Sequence, residues 1–372
     1  MTRTKTILIL GGYGNFGTYI TRALAQQDGL HILVAGRDVA KAAALADSLK
    51  TAAAKVTPCL LDIEDDFHIS LAALAPDIVI HTCGPFQGQG YNVAEACVAQ
   101  GCDYIDLADA RDYVCGIGTL DAAARNRGSR IISGASSVPA MTAAVIDAYL
   151  PAFGTLTHLD FGISTAQKTT PGAATVRALL SYAGKPFKML QRSEMKTVYG
   201  WQGITRRTFP QLGTRLMSHC DVPDLDLFPK RYPDVQQVTF FAGVEIRAQQ
   251  ITLWLLSFLV RMKILKNLSV LTPLLLAVMP LFNIFGSDKS GFYMRMQGQD
   301  RAGAPMDKTF YIVAHHGDGP HLPTLPAIVM ARKLMNDREN IPAGAMPCVG
   351  LMTLDEYKTA IGDLRIDLIP PA

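Results

Sequence analysis

The chain has 372 residues, 49% of them hydrophobic and 18% charged, which is enough for two domains with sizeable cores. A formal net charge of +3 without a long basic run argues against nucleic acid as a partner. Seven scattered cysteines form no C-x-x-C pair, and the N-terminus runs straight into an apolar stretch, so the sequence reads as a cytoplasmic protein with reduced thiols and no secretory signal.

Residues 7–10 are an apolar run that fits a buried parallel strand. They lead into Gly12, Tyr13, Gly14, Asn15, Phe16 and Gly17, then into a helical pattern that lasts to about residue 27. A second apolar run, 31–35, ends in Gly36, Arg37 and Asp38. Strand, glycine turn, helix and strand in this order are the context in which G-x-G-x-x-G marks a dinucleotide site. Gly12 lets the chain turn tightly out of the strand, and Gly14 lets a pyrophosphate approach the backbone. Gly17 lets the helix pack closely on the sheet, while the helix N-terminus offers free N–H groups to the phosphates.

The end of the second strand bears on the choice of dinucleotide. An acidic residue there would accept hydrogen bonds from the ribose 2′-OH of NAD. This chain has Arg37, whose guanidinium can pair with a 2′-phosphate through two parallel hydrogen bonds, so NADP is favoured over NAD. The competing reading has Arg37 solvated and Asp38 reaching the ribose.

Further on, the pattern gives a helix over 39–50 and strands over 56–61, 78–82, 103–107 and 130–133. Helices fall over 91–99 and 120–127. Strands alternating with helices predict an α/β protein with a doubly wound parallel Rossmann sheet. Ligands of such sheets sit beyond the carboxyl ends of the strands. Asp62 is therefore expected near the adenine, and Cys83, Gly84 and Pro85 near the nicotinamide ribose. The expected cofactor contacts are Gly12, Gly14, Asn15, Phe16, Gly17, Arg37, Asp62, Cys83, Gly84 and Pro85.

From residue 151 the texture changes. Strands are expected over 156–165, 291–298 and 309–314, and helices over 172–182 and 323–336. A polar, strand-rich part runs to about 241. The expected organisation is a Rossmann domain over 1–140, a second and smaller α+β domain for substrate and dimerisation over 141–322, and a segment over 323–372 that packs back on the first domain. The most unusual stretch is 251–285, two apolar pieces interrupted by Arg261, Lys263 and Lys266. Pro273 and Pro280 and the basic residues between the pieces argue against a simple spanning helix. A core or dimer-interface element and a lipid-facing interfacial element stay open as readings.

Residues 82–117 also carry a resemblance. The stretch CGPFQGQGYNVAEACVAQGCDYIDLADARDYVCGI, with GGYGNFG, VAGRD and GASSVPA, resembles the saccharopine dehydrogenase-like oxidoreductases, in the G-P-F branch that includes trans-acting enoyl reductases. The resemblance covers about the first 140 residues. It implies an NADP-type Rossmann domain, a second domain that closes over it, a homodimer, and hydride transfer by analogy. In the lipid-linked branch a hydrophobic substrate is expected.

Hydride transfer to a carbonyl or polarised alkene needs a group that protonates or hydrogen-bonds the developing anion. Asp106, Tyr104 and Lys168 are the candidates of suitable chemistry, with no choice among them. His81 reads as a core histidine and Cys83 as a packing or cofactor contact. His315 and His316 are adjacent on a strand and point to opposite faces, so no metal is expected. The expected function is an NADP-dependent oxidoreductase acting on an apolar or lipid-like carbonyl or enoyl substrate. A catalytically silent NADP-binding scaffold or redox sensor at a membrane surface is the alternative.

Overall fold

Strands buried on both faces need apolar residues at every position, and the first third of the chain supplies them in short runs separated by helices. The computed structural model describes residues 3–169 and 172–371. The first part contains β1 (Lys5–Leu10), α1 (Asn15–Leu24), β2 (Leu30–Gly36), α2 (Val39–Asp47), β3 (Lys55–Leu60) and α3 (Phe67–Leu74). It continues with β4 (Ile78–His81), α4 (Asn92–Gln100), β5 (Asp103–Asp106), α5 (Arg111–Gly116), α6 (Asp121–Arg127) and β6 (Arg130–Ser133).

The middle of the chain holds α7 (Thr142–Tyr149), β7 (Phe153–Thr165), α8 (Ala173–Ser181), β8 (Pro186–Gln191), β9 (Glu194–Tyr199), β10 (Thr205–Phe209) and β11 (Gly213–His219). Then come α9 (Asp224–Arg231), β12 (Gln237–Val244), α10 (Arg247–Arg261), α11 (Thr272–Val278), β13 (Ser290–Asp300) and β14 (Pro305–Ala314). The chain closes with α12 (Leu325–Asn336), β15 (Gly344–Pro347), α13 (Leu354–Ile361) and β16 (Ile366–Ile369).

Two compact units result: Met1–Met141 with His321–Ala360, and Thr142–Pro320 with Ile361–Ala372. The second is no smaller than the first. The final segment, expected to return whole to the first unit, divides between them. α12 and β15 join the first unit, whereas β16 pairs with β14 in the second.

In the first unit a parallel sheet has the order β15-β6-β5-β4-β1-β2-β3. The strand order reverses between β1 and β4, the place where doubly wound sheets bind ligands. Alternate residues of β1 feed opposite faces: Leu8 and Leu10 join a cluster with Val79, Ala94, Tyr104 and Ile131, while Ile7 and Ile9 are buried on the other face. The returning segment is held by charge. Arg338 pairs with the Asp103 carboxylate at 2.7 Å and donates to the Gly128 carbonyl at 2.7 Å, and Arg130 donates to the Ile341 carbonyl at 2.9 Å.

The second unit is built on a mixed sheet of order β10-β11-β12-β7-β13-β14-β16, in which β12 and β7 run parallel. One face packs Phe161 against Phe228 and Phe240, with ring centroids 5.8 and 5.2 Å apart. The opposite face gathers Phe209, Met217, Phe241 and Tyr293. The β8–β9 hairpin stands apart as a two-stranded sheet.

The apolar stretch 251–285 divides between α10 and α11, with short 3-10 turns at Ser269–Leu271 and Met279–Phe285. Pro273 and Pro280 sit in the first turns of α11 and the last 3-10 turn, where a missing N–H costs least, so the prolines cut the stretch into short pieces. Among the described residues no helix is long and apolar enough to cross a membrane. One side of the stretch packs inward: Val260 and Leu268 are buried with Val176, Leu180 and Trp201. The other side leaves Leu255, Val270, Leu281, Ile284 and Phe285 exposed.

Asp224 opens α9 fully buried, accepting a hydrogen bond from the Thr142 hydroxyl at 2.5 Å. Burial pushes its carboxyl from 3.8 up to about 7, more than the Thr142 bond offsets. The folded state therefore holds the proton more tightly than the unfolded chain. The stability this confers is complete below pH 3.8 and is lost as pH rises through about 7, at most on the order of 4 kcal/mol. Asp224→Asn, which cannot ionise, is expected to flatten that slope in urea unfolding measured from pH 4 to 8. An unchanged slope would show that Asp224 is not the group that titrates.

Candidate functional site

The glycine loop bridges the C-terminal end of β1 and the start of α1. The residue that makes the turn is Gly11, with φ +72°, one position before the G-x-G-x-x-G run. A Cβ there would lie 2.7 Å from Thr82 Oγ1 and 3.0 Å from Cys83 Sγ, so β4 closes directly on the loop. The Thr82 hydroxyl fixes that approach by donating to the Leu10 carbonyl at 2.7 Å. Sequence reasoning missed Gly11 and Thr82; the doubled glycine was the one available signal.

Gly17 permits contact between helix and loop, since a Cβ would meet the Gly11 carbonyl oxygen at 2.1 Å. Around Gly14 the space is open: a Cβ would approach only the Gly11 oxygen, at 3.1 Å. Gly14 is also the N-cap of the ten-residue α1 and supplies no side-chain cap. The first N–H groups of α1 thus lack a side-chain cap beneath a bare surface, which is the geometry a pyrophosphate requires. Asn15 and Phe16 occupy the first turn.

At the end of β2, Tyr13 lies against Gly36, where a Cβ would come within 2.5 Å of the Tyr13 hydroxyl; this hydroxyl accepts the Asp38 N–H at 2.8 Å. Asp38 is engaged elsewhere. Its carboxylate caps α2 by accepting the Lys41 N–H at 3.1 Å and pairs with Lys41 Nζ at 3.2 Å. Arg37 is exposed and makes no hydrogen bond or ion pair among the described residues. At this corner the carboxylate caps α2, and the guanidinium carries no protein partner among the described residues.

Asp62 follows β3, with its carboxylate turned onto the Glu64 N–H at 3.1 Å. Cys83 follows β4. Burial pushes its thiol up to about 11, while the Arg37 charge pulls it down and the Asp62 charge pushes it up. The structure so brings the loop, Arg37, Asp62 and Cys83 to one end of the sheet. Gly84 and Pro85 join through a cis peptide, and Gln89 donates to the Cys83 and Pro85 carbonyls at 2.9 and 2.7 Å, fixing this turn.

Asp106 and Tyr104 are both fully buried. Asp106 accepts from the Gly134 N–H at 2.7 Å, the Ala108 N–H at 2.9 Å and the Ser133 hydroxyl at 3.1 Å, so it ties together the loops after β5 and β6. Burial pushes its carboxyl up to about 6 against the pull of these bonds. The Tyr104 hydroxyl bonds His81 Nδ1 at 3.0 Å and the Tyr113 hydroxyl at 3.1 Å, and burial raises it well above its ordinary range. Burial also lowers His81 to about 3, so this imidazole is neutral. Lys168 belongs to the second unit, in the polar turn after β7, with an exposed side chain and its N–H bonded to the Ser287 carbonyl at 3.0 Å. His315 pairs with Asp367 at 3.1 Å, and His316 lies 4.0 Å from Asp288. Among the described residues no three His, Cys, Asp or Glu side chains gather as a metal site.

Residues 7–132 match the family model described as the saccharopine dehydrogenase NADP binding domain. No curated protein matches the sequence. Among solved structures, apo saccharopine dehydrogenase (L-Glu forming) from Saccharomyces cerevisiae is similar with a TM-score of 0.68 at 14% identity, over 98% of this chain and 100% of that one. An amine dehydrogenase from Mycobacterium smegmatis aligns at a TM-score of 0.45 and 10% identity, over 93% of this chain and 95% of that one. The first likeness establishes the fold of both units, and the family match makes the first an NADP-binding domain.

Proposed function

We propose that this chain, whose residues 7–132 are an NADP-binding domain of the saccharopine dehydrogenase type, is an NADP-dependent oxidoreductase acting on an apolar, lipid-like carbonyl or enoyl substrate. One observation supports the choice of NADP above all others: the unpaired Arg37 guanidinium stands beside a bare glycine loop whose neighbouring carboxylate, Asp38, is engaged in capping α2. The residues fit the cofactor. The α1 N-terminus and Gly14 would hold the pyrophosphate, Arg37 the 2′-phosphate, Asp62 the adenosine side, and the Cys83, Gly84 and Pro85 turn the nicotinamide ribose. Bound NADPH supplies the hydride. Asp106 holds the loops after β5 and β6 in place.

Fluorescence titration with NADPH and NADH tests the cofactor assignment. Arg37→Ala is expected to weaken NADPH binding by about 10- to 100-fold, the worth of a charge-assisted bidentate contact, and to leave NADH binding within about twofold. Equal loss for both dinucleotides would remove the 2′-phosphate role from Arg37.

The lipid-like substrate is supported by the exposed apolar side of 251–285, where Val270, Leu281, Ile284 and Phe285 are 71–80% exposed. Lys263 and Lys266 lie exposed between the two apolar pieces. Apolar side chains flanked by cations suit contact with an anionic lipid surface, so we assign this side to peripheral membrane contact rather than to a homodimer interface. Sedimentation with vesicles containing phosphatidylserine is expected to carry the protein down, and Leu281→Ser with Phe285→Ser to release it. A concentration-dependent dimer that these substitutions dissociate would assign the patch to a second copy instead.

A further inference from the structure

We propose that the second unit holds a binding site for a compact dianion, a dicarboxylate or a phosphate, between the β8–β9 turn and the face of its sheet that carries Asp160, Thr239 and Phe241. A cavity of about 330 Å³ lies there, at the small end of the range for ligand pockets. Its floor is Asp160, Gln237, Thr239 and Phe241, and its sides include Arg207, His219, Arg192 and Lys196.

The charge of this cavity is not balanced from within. Asp160 is used up: it accepts from Arg207 at 2.5 Å and from the Tyr293 hydroxyl at 2.6 Å. Arg207 in turn lies over the Phe241 and Tyr293 rings, 5.2 and 5.7 Å from their centroids, and so is fixed in place. That leaves Arg192 and Lys196. Arg192 makes no ion pair or hydrogen bond through its side chain among the described residues, and Lys196 has only the exposed Glu194 at 3.6 Å. Burial lowers the His219 imidazole, so at neutral pH it offers a hydrogen bond and no charge. The surplus is positive.

The backbone places Arg192 there against its own preference. Gln191 pairs with Glu194, so Arg192 and Ser193 are the two residues of a tight hairpin turn. Both are left-handed, with φ of 52° and 62°, the conformation in which Asn-Gly is the favoured pair. A long cationic side chain at such a position is an outlier of the kind found at ligand sites. The turn is also docked, since the Ser193 N–H donates to the Gln236 carbonyl at 2.7 Å, next to Gln237 on the cavity floor. A planar guanidinium lining a cavity together with amide and hydroxyl groups suits a carboxylate or phosphate, and the Phe241 ring suits a short carbon chain.

The test is calorimetric titration of the full chain with glutarate and, separately, with inorganic phosphate, in saturating NADPH so that phosphate cannot enter the cofactor loop. At least one of the two is expected to bind saturably, and which one does identifies the ligand class. Arg192→Gly relaxes the left-handed backbone while removing the guanidinium, and Lys196→Gln removes the second cation on an exposed strand. Each is expected to weaken the anion about tenfold or more while NADPH binding stays unchanged. No saturable binding of either anion to the wild type, or binding that survives both substitutions, would overturn the site. Loss of NADPH binding by the wild type would count against the oxidoreductase reading and leave this one standing.

Discussion

Gly17→Ala is expected to cost the protein both its stability and its cofactor, whereas Gly14→Val costs the cofactor alone. The difference is geometric. A Cβ on residue 17 would sit 2.1 Å from the Gly11 carbonyl oxygen and 2.7 Å from Gly12 Cα, backbone atoms that cannot step aside without moving α1 off the sheet. Such an overlap is expected to destabilise the first unit by about 3 kcal/mol or more. A Cβ on residue 14 meets a single atom at 3.1 Å, on a residue whose φ of −73° any side chain tolerates. The valine branches then project over the uncapped N-terminus of α1, where the pyrophosphate would come down. Thermal unfolding together with NADPH titration separates the two cases. A Gly14→Val protein that binds NADPH as the wild type does would sink the assignment of the loop.

Much of the first unit was legible because burial on both faces leaves a plain mark: residues 78–81, Ile-Val-Ile-His, can hardly be anything but an interior strand. β15 left no such mark. Its four residues, Gly-Ala-Met-Pro, include two strand-poor types, and it joins the sheet edge through pairing that begins at the Gly344 N–H bond to Ser129. In the site, the three glycines and Arg37 were readable because their function lies in their side chains or lack of them. Gly11 was not singled out, because the motif's register starts one residue later, and only the backbone angle reveals which glycine turns. The β8–β9 turn was invisible for the opposite reason: Arg-Ser sits where a hairpin of this kind ordinarily shows Asn-Gly. The Glu245 contacts escaped because its partners lie far away in sequence and two are backbone N–H groups, which no residue type announces.

Those contacts carry the second large prediction. Glu245 Oε2 accepts from the Gln167 and Ser287 N–H groups at 2.9 and 2.8 Å; Oε1 accepts from the Ser287 hydroxyl at 2.7 Å and pairs with Arg215 at 3.0 Å. Both charged side chains are about nine-tenths buried. Gln167 extends the knot by donating to the Met279 carbonyl at 2.8 Å and Asn283 at 3.2 Å, so the turn that bears Lys168 is tied to the end of the apolar stretch. Glu245→Ala leaves a buried guanidinium without its partner and strands three further donors, and is expected to destabilise the second unit by about 3–5 kcal/mol. Glu245→Gln keeps one acceptor oxygen and should fall between the two. The bonds also overcome burial and hold the Glu245 carboxyl below its ordinary 4.5. The stability it confers is therefore present above pH 4.5 and is lost as pH falls through the depressed value, opposite in direction to Asp224. Urea unfolding between pH 3 and 7, with hydrogen exchange at the Gln167 and Ser287 amides, reads both effects. An alanine variant within about 1 kcal/mol of wild type, with those amides still protected, would show that Glu245 does not hold the Lys168 turn.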